Sequence, residues 1–241
     1  SVDRLATSGY KSNVTGFSVG TQFEFLDDLR LGLSTKNIIE KIDVDANAST
    51  KQKKQDGNYF DSFIGVDFLY DKRNQRYQTT SGFFSNYSVN MPILSDTNTL
   101  TNTYNYKVFK ELYENNVSTL SILFKGASSL SNDDIKLSER LYIPGKRLRG
   151  FETGKIGPKD GNDFIGGNYV SSINATTTIP TFLENFQNVD VVLFADAANI
   201  WGVDYDSSLD KNGIRSSVGV GIDWLTPVGP LTFSFAHPVT K

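Results

Sequence analysis

The chain has no cysteine, which removes disulfides and thiolate chemistry and is neutral about compartment. Its single histidine, His237, argues against a histidine-based metal or catalytic cluster. No apolar run approaches the roughly 18–20 residues of a membrane-spanning helix. Lysine and arginine nearly balance aspartate and glutamate, leaving a net charge of −3, so nothing points to nucleic acid or to a polybasic membrane contact. A secretory leader is absent too, because Ser1-Val2-Asp3-Arg4 opens onto polar sequence. A secreted or outer-membrane protein needs one, so the chain reads as a piece of a longer protein. What is present, 241 residues of which 38% are hydrophobic and 12% aromatic, suffices for one large all-β domain.

The dominant pattern is period two. Phe17, Val19, Thr21, Phe23 and Phe25 alternate with Gly16, Ser18, Gly20, Gln22 and Glu24. Leu29, Leu31 and Leu33 follow, then Ser62, Ile64, Val66, Phe68 and Tyr70 with Asp61 and Asp67 on the other face. Tyr77, Phe83, Tyr87, Val89 and Met91 form a fourth set; Tyr104, Tyr106 and Val108 a fifth; Leu120, Ile122 and Phe124 a sixth. Tyr169, Ile173, Ala175 and Ile179 oppose Ser172, Asn174 and Thr176. Val189, Val191, Leu193 and Ala195 oppose Asp190 and Asp196; Val218, Val220, Ile222 and Trp224 oppose Ser217, Gly219, Gly221 and Asp223. Leu231, Phe233 and Phe235 complete the series. That makes about ten strands, several near the roughly 9–11 residues of a tilted membrane strand.

The connections alternate as well. Leu26-Asp27-Asp28, Asp71 to Gln75, Glu114-Asn115-Asn116 and Pro227-Val228-Gly229 are short, while polar loops at about 38–59, 92–102, 128–168 and 202–215 are long. The connection at 180–188 is intermediate and falls in a short-turn slot. Short turns on one side and long loops on the other suit a transmembrane barrel, whereas a soluble sandwich has no reason for that rhythm. Tyr70, Tyr77, Tyr104, Trp201 and Trp224 sit near strand ends, where an interfacial girdle places aromatics. Alternation alone leaves open which face points to water.

The longest loop carries Leu148-Arg149-Gly150-Phe151, a single arginine in a Gly- and Asp-rich stretch. On the residues alone, a lone loop arginine reads as a solvated charge, and the lumen-docked alternative stays open beside it. If the loop folds into the lumen, the guanidinium needs carboxylates that its planar fork can engage bidentately. Asp196 and Asp223 both fall on the polar phase of neighbouring strands. Gly150 permits a tight backbone turn, with Phe151 packing beside it.

The stretch from about Gly57 to Thr240 resembles the C-terminal barrel of the BamA-type outer-membrane assembly factors, the bacterial surface antigen family. Four matches carry the resemblance, in order, over roughly ninety residues. Leu148-Arg149-Gly150-Phe151 is similar to the family's Val-Arg-Gly-Phe/Tyr loop motif. Ile156-Gly157-Pro158-Lys159 follows, and Gly166-Gly167-Asn168 opens the next strand. Phe194-Ala195-Asp196-Ala197-Ala198 resembles the Phe-x-Asp-x-Gly strand, with Ala198 where the family usually has glycine. Asp223 through Leu231, with Phe233-Ser234-Phe235-Ala236, matches the penultimate hairpin. Residues 1–56 fit by strand rhythm only. The resemblance implies a sixteen-strand barrel of which this chain holds about ten, without the first and last strands or the preceding POTRA domains. It also implies that Arg149 docks on Asp196.

The expected fold is therefore all-β: an antiparallel up-and-down transmembrane barrel, partial, over residues 1–241, with a lumen-directed loop at about 128–168. The expected function is folding and inserting barrel proteins into the bacterial outer membrane, without enzyme activity, cofactor or metal. The implied partners are unfolded outer-membrane clients, accessory lipoproteins reached through the POTRA domains, and the lipid bilayer. A two-partner secretion translocator shares the loop motif and is the alternative, followed by a passive porin with opposing charges at a constriction; a barrel phospholipase has only His237 to serve it. Asp204, Asp206, Asp210 and Asn212 resemble a calcium loop but lack the central glycine and terminal glutamate of an EF-hand. Lys51, Lys53 and Lys54 read as a solvated charge run, and sequons such as Asn13-Val14-Thr15 as chance in an Asn- and Thr-rich chain.

Overall fold

The computed structural model describes residues 2–3, 9–113, 116–179, 189–210, 213–226 and 228–240. The elements in chain order are β1 (Val2–Asp3), β2 (Tyr10–Leu26), β3 (Leu29–Val44), a short α1 (Thr50–Lys53), β4 (Gly57–Asp71), β5 (Gly82–Pro92), β6 (Thr99–Tyr113) and β7 (Asn116–Ser129). Then come β8 (Lys159–Asp160), β9 (Asp163–Phe164), β10 (Tyr169–Ile179), β11 (Val189–Trp201), β12 (Arg215–Thr226) and β13 (Gly229–Pro238). All except β8 and β9 join one antiparallel sheet in the order β1-β2-β3-β4-β5-β6-β7-β10-β11-β12-β13; β8 and β9 form a small ribbon inside the long loop. Ten long strands in simple up-and-down order make the curved wall of a barrel, open between β1–β2 and β13 among the described residues.

Register sorts the two phases. Leu31 pairs with Phe23 and Phe68, Phe68 with Tyr87, Tyr87 with Tyr104, and Tyr104 with Phe124. The same row continues through Ser171 and Asn199 into β11. The apolar residues of this phase are exposed along the wall, from Phe17 and Val19 to Leu193, Val220 and Phe233. An apolar face of this extent requires lipid, and strands cross lipid only if each backbone group is paired with a neighbour. No helix among the described residues is long and apolar enough to cross a membrane. Two aromatic clusters mark opposite ends of the outer face. Tyr70 meets Phe83 edge-to-face and Phe83 lies tilted against Tyr106 near the short turns, with centroids 5.6 and 5.9 Å apart, while Phe124, Tyr169 and Trp201 stack near the long loops.

Two expected boundaries move. The loop placed at 38–59 shrinks, because β3 continues to Val44 and β4 starts at Gly57. At roughly 3.3 Å per residue a strand of this length overshoots the hydrocarbon. The charges at its end, such as the exposed pair Lys41–Asp43, therefore stand in water and need not end the ladder. Tyr77 leaves the β5 set, since β5 starts only at Gly82 and Tyr77 lies exposed in the preceding connection. There Asn74 reaches Thr80 Oγ1 at 2.8 Å and accepts from the Thr80 and Ser81 amides, so local side-chain bonds replace the ladder. Of the other connections, residues 114–115, 180–188 and 227 lie outside the described residues.

The two phases differ in what they tolerate. Leu193→Arg, on the outer phase of β11, is expected to destabilise the barrel by about 2–4 kcal/mol. Thr176→Arg, its inward-facing neighbour on β10, is expected to have a much smaller effect. Urea titration of the full-length protein in lipid vesicles measures both.

Candidate functional site

The inner phase of the wall carries the candidate site. Asn174 and Asp196 are direct partners across β10 and β11, both pointing inward and both buried. Onto them folds the segment between β7 and β10. Pro144 leads into a 3-10 turn at Gly145–Arg147, closed by the Arg147 amide bonding to the Pro144 carbonyl at 2.8 Å. Leu148 then inserts, 1% exposed, into a cluster with Ile143, Val170, Ala198 and Ile200, flanked by Leu141, Phe151 and Ile156. The inner phase beneath the loop tip is thus apolar at these positions. Ala198, in the position where glycine was the expectation, contributes its methyl to this cluster.

Arg149 projects beside that cluster. Its Nε and Nη2 each donate to Asp196 at 2.7 Å, one to each carboxylate oxygen, and its backbone N–H donates to Oδ2 at 3.1 Å. Asn174 Nδ2 supplies a fourth donor to Asp196 at 2.8 Å and also bonds the Arg147 carbonyl at 2.8 Å. The guanidinium lies over the Phe194 ring, 3.4 Å from its centroid. Asp196 has a fully buried side chain, while that of Arg149 is 19% exposed. A bidentate, stacked, partly desolvated pair of this kind holds one geometry, which an ammonium cannot reproduce. Gly150 sits at φ 85°, and a Cβ there would come within 2.9 Å of Ala236 Cβ on β13. The loop tip thus lies against β11 and β13 together.

Asp223 requires a correction. It points inward, as expected, but does not reach Arg149. It accepts from Thr232 Oγ1 at 2.7 Å and lies opposite Asp190. The register explains the separation, because Asp196 faces Ser217, so Asp223 lies six residues further along β12, about 20 Å towards the short turns. There it lines a lumen cavity of about 660 Å³ together with Lys107, Arg73 and Arg76.

Other residues of the loop take partners that the sequence did not single out. Arg147 donates to Asn105 Oδ1 at 2.7 Å, to Asn174 Oδ1 at 3.2 Å and to Ser121 Oγ. Arg140 pairs with Asp204 and stacks on Tyr205 at 4.8 Å. Lys136 is buried among Asp61, Glu40 and Glu139. The available signal was phase: Glu40, Asp61, Asn105 and Ser121 all fall on the inner parity of their strands. The calcium-like aspartates are spoken for by protein groups. Asp204 takes Arg140 and the Ile135 amide, Asp206 takes Lys51 at 2.8 Å, and Asp210 accepts from the Gly202 amide at 3.0 Å. Asn212 lies outside the described residues. Lys51 and Ser208 hold the Asp206 carboxyl down at about 2. Lys51 is therefore paired where a solvated charge was expected. His237 lies on the outer phase of β13, opposite Val218.

A lipid-facing antiparallel wall with a long loop ionically docked on its inner face defines an outer-membrane β-barrel of the plugged kind. The chain belongs to the Omp85 superfamily, whose domain model matches residues 2–241. It is similar to the outer membrane protein assembly factor BamA of Neorickettsia risticii, at 24% identity over 96% of this chain and 32% of that protein. It is likewise similar to BamA of Nitratidesulfovibrio vulgaris, at 28% identity over 84% of this chain and 26% of that one. A SAM50-like protein of Schizosaccharomyces pombe is 28% identical over 50% of this chain and 27% of its own length. Among solved structures, BamA from Haemophilus ducreyi lacking POTRA domains 1–3 superposes with a TM-score of 0.86, at 22% identity, over 96% of this chain and 52% of that one. The chain spans about a third or less of the length of these assembly-factor relatives.

Arg149→Ala leaves Asp196 buried without its counter-charge and is expected to weaken loop docking by about 3–5 kcal/mol. Arg149→Lys restores only part, and Asp223→Asn leaves docking unchanged. Protease cleavage of the 145–155 segment in detergent-folded full-length protein reads all three.

Proposed function

We propose that the protein carrying this barrel folds and inserts β-barrel proteins into the outer membrane. The observation that carries the reading is the Arg149–Asp196 pair, built inside a barrel wall whose relatives are named assembly factors. The activity we infer involves no bond chemistry and no cofactor. A β-barrel grows by strand addition, and an edge offering backbone N–H and C=O groups in register recruits an incoming strand by β-augmentation. The part played by these residues is to keep the wall in shape while that happens. The loop ties β10, β11 and β13 together from the lumen, so the sheet keeps its curvature without help from the lipid side. The clients are unfolded outer-membrane proteins, and the accessory partners are periplasmic lipoproteins engaged through POTRA domains of the full-length protein.

The test is complementation. In cells depleted of their own assembly factor, the full-length protein is expected to restore folded outer-membrane barrels, read by heat-modifiable mobility of resident porins. Arg149→Ala is expected to lower those levels several-fold at equal expression. Unchanged porin levels with Arg149→Ala, or no rescue by the parent protein, would overturn the assignment.

A further inference from the structure

Two charged side chains of the long loop are almost completely buried, Arg140 and Lys136. Lys136, at the root of the long loop, is 2% exposed. Its Nζ lies 2.5 Å from Asp61 Oδ2, 2.9 Å from Glu40 Oε2 and 3.8 Å from Glu139 Oε1, with the Tyr59 ring centroid at 5.0 Å. Asp61 is fully buried and also accepts from the Thr97 amide and hydroxyl, at 3.2 and 2.8 Å. Glu40 accepts from Ser138 Oγ at 2.8 Å and from Ser12. Backbone contacts run alongside, since Tyr10 donates to the Leu137 carbonyl at 3.1 Å and the Leu137 amide donates to Gln55 Oε1 at 2.7 Å. One ammonium thus joins the loop to β3 and β4, whose acids in turn hold β2 and the connection between β5 and β6.

This cluster is remote from the Arg149 lock. Between β4 and β11 the sheet contains β5, β6, β7 and β10. At about 4.8 Å per strand the two walls are about 24 Å apart along the sheet. Twelve residues of loop lie between Lys136 and Arg149, so the segment crosses the concave face as a chord with an ionic contact at each end. We propose that Lys136 is a second positioning residue for the lumen loop: its contact with Glu40 and Asp61 fixes the loop's root, and that fixation orders the Arg149 tip on β11.

The energetics favour a placement role over a purely stabilising one. Burying one cation among carboxylates adds little net stability compared with well-packed apolar groups, but it penalises every placement in which a charge is stranded. Arg140 and Arg147 hold intermediate points of the loop on the β11 side and on β6 and β7, but Lys136 is the cation that ties it to β3 and β4, and without it the root is free to shift on that wall. The third carboxyl fits the same picture. Burial raises the Glu139 pKa against the pull of Lys136, and its Oε2 has no hydrogen-bond partner among the described residues.

The test compares three variants of the full-length protein: Lys136→Met, Lys136→Arg, and Lys136→Met combined with Glu40→Gln and Asp61→Asn. Spin labels at Glu152→Cys near the tip and Val239→Cys beyond β13, introduced after any cysteine elsewhere in the full-length protein has been replaced, report tip order as a distance distribution. Lys136→Met is expected to lower the melting temperature and to broaden the distribution. Lys136→Arg keeps the charge and is expected to keep it narrow. The triple variant removes both carboxylates that touch Lys136 directly and keeps only Glu139, which burial already biases towards its neutral form, so it is expected to recover the melting temperature while the distribution stays broad. A merely structural role would restore both together. A narrow distribution in the triple variant overturns the proposal, as does one in Lys136→Met. So does a triple variant that fails to insert, because the cluster is then needed for the fold and not for placement. The label readout does not depend on assembly activity, so its failure is distinguishable from failure of the function proposed above.

Discussion

Hydrocarbon offers no hydrogen-bond partner, and the whole wall follows from that constraint. Each backbone N–H and C–O group at membrane depth must be satisfied by an adjacent strand, so the chain runs in long antiparallel ladders. A ladder has a side-chain period of two, so once one phase faces lipid the other faces the lumen. Charge expelled from the outer phase accumulates on the inner one. Asp61, Asp190, Asp196, Asp223, Glu40 and Lys107 all lie there, on five different strands. A loop folded over that face meets a wall already rich in ionic partners.

The loop's chemistry is matched to a partly dry environment. In open water an arginine–aspartate pair is worth little, because both groups are well solvated and held by long flexible side chains. Against Phe194 and beside the Leu148 cluster, Asp196 has lost its water and receives four protein donors in return. The apolar cluster and the ion pair depend on each other. Leu148 and Phe151 keep water from the pair, and the pair sets the register in which they insert. Gly150, at positive φ against Ala236, is where backbone geometry permits the tip to approach the wall.

The ionic contacts are distributed in a telling way. Arg149 holds the tip on β11, Arg147 reaches Asn105 on β6 and Ser121 on β7, Arg140 reaches Asp204 in the connection after β11, and Lys136 holds the root at β3 and β4. Four cations from one loop thus address most of the arc. Towards the short turns, the connection between β4 and β5 brings Arg73 and Arg76 to a lumen cavity that Lys107, Asp190 and Asp223 also line.

The strands and their phase were legible in the sequence, because period two is a local property that each segment carries in its own residues; the short–long rhythm of connections was not, since the turn expected at Asp71 to Gln75 extends over 72–81 and the loop expected at 92–102 shrinks to 93–98. The inward direction of Asp196 and Asp223 followed from the same parity. The register between strands was decided only by the tertiary structure. Parity places both aspartates on one face but says nothing of height, and pairing Asp196 with Ser217 is what leaves Asp223 beyond reach of Arg149. The extent of β3 past the membrane was likewise hidden, since charged residues end a strand in lipid but not in water. Lys136 was hidden for a related reason. A lysine in a polar loop looks solvated in sequence, and its burial depends on Glu40 and Asp61, both far away in the chain, converging on it from two strands. Local periodicity determines which face a residue takes, and only the assembled sheet determines whom it meets there.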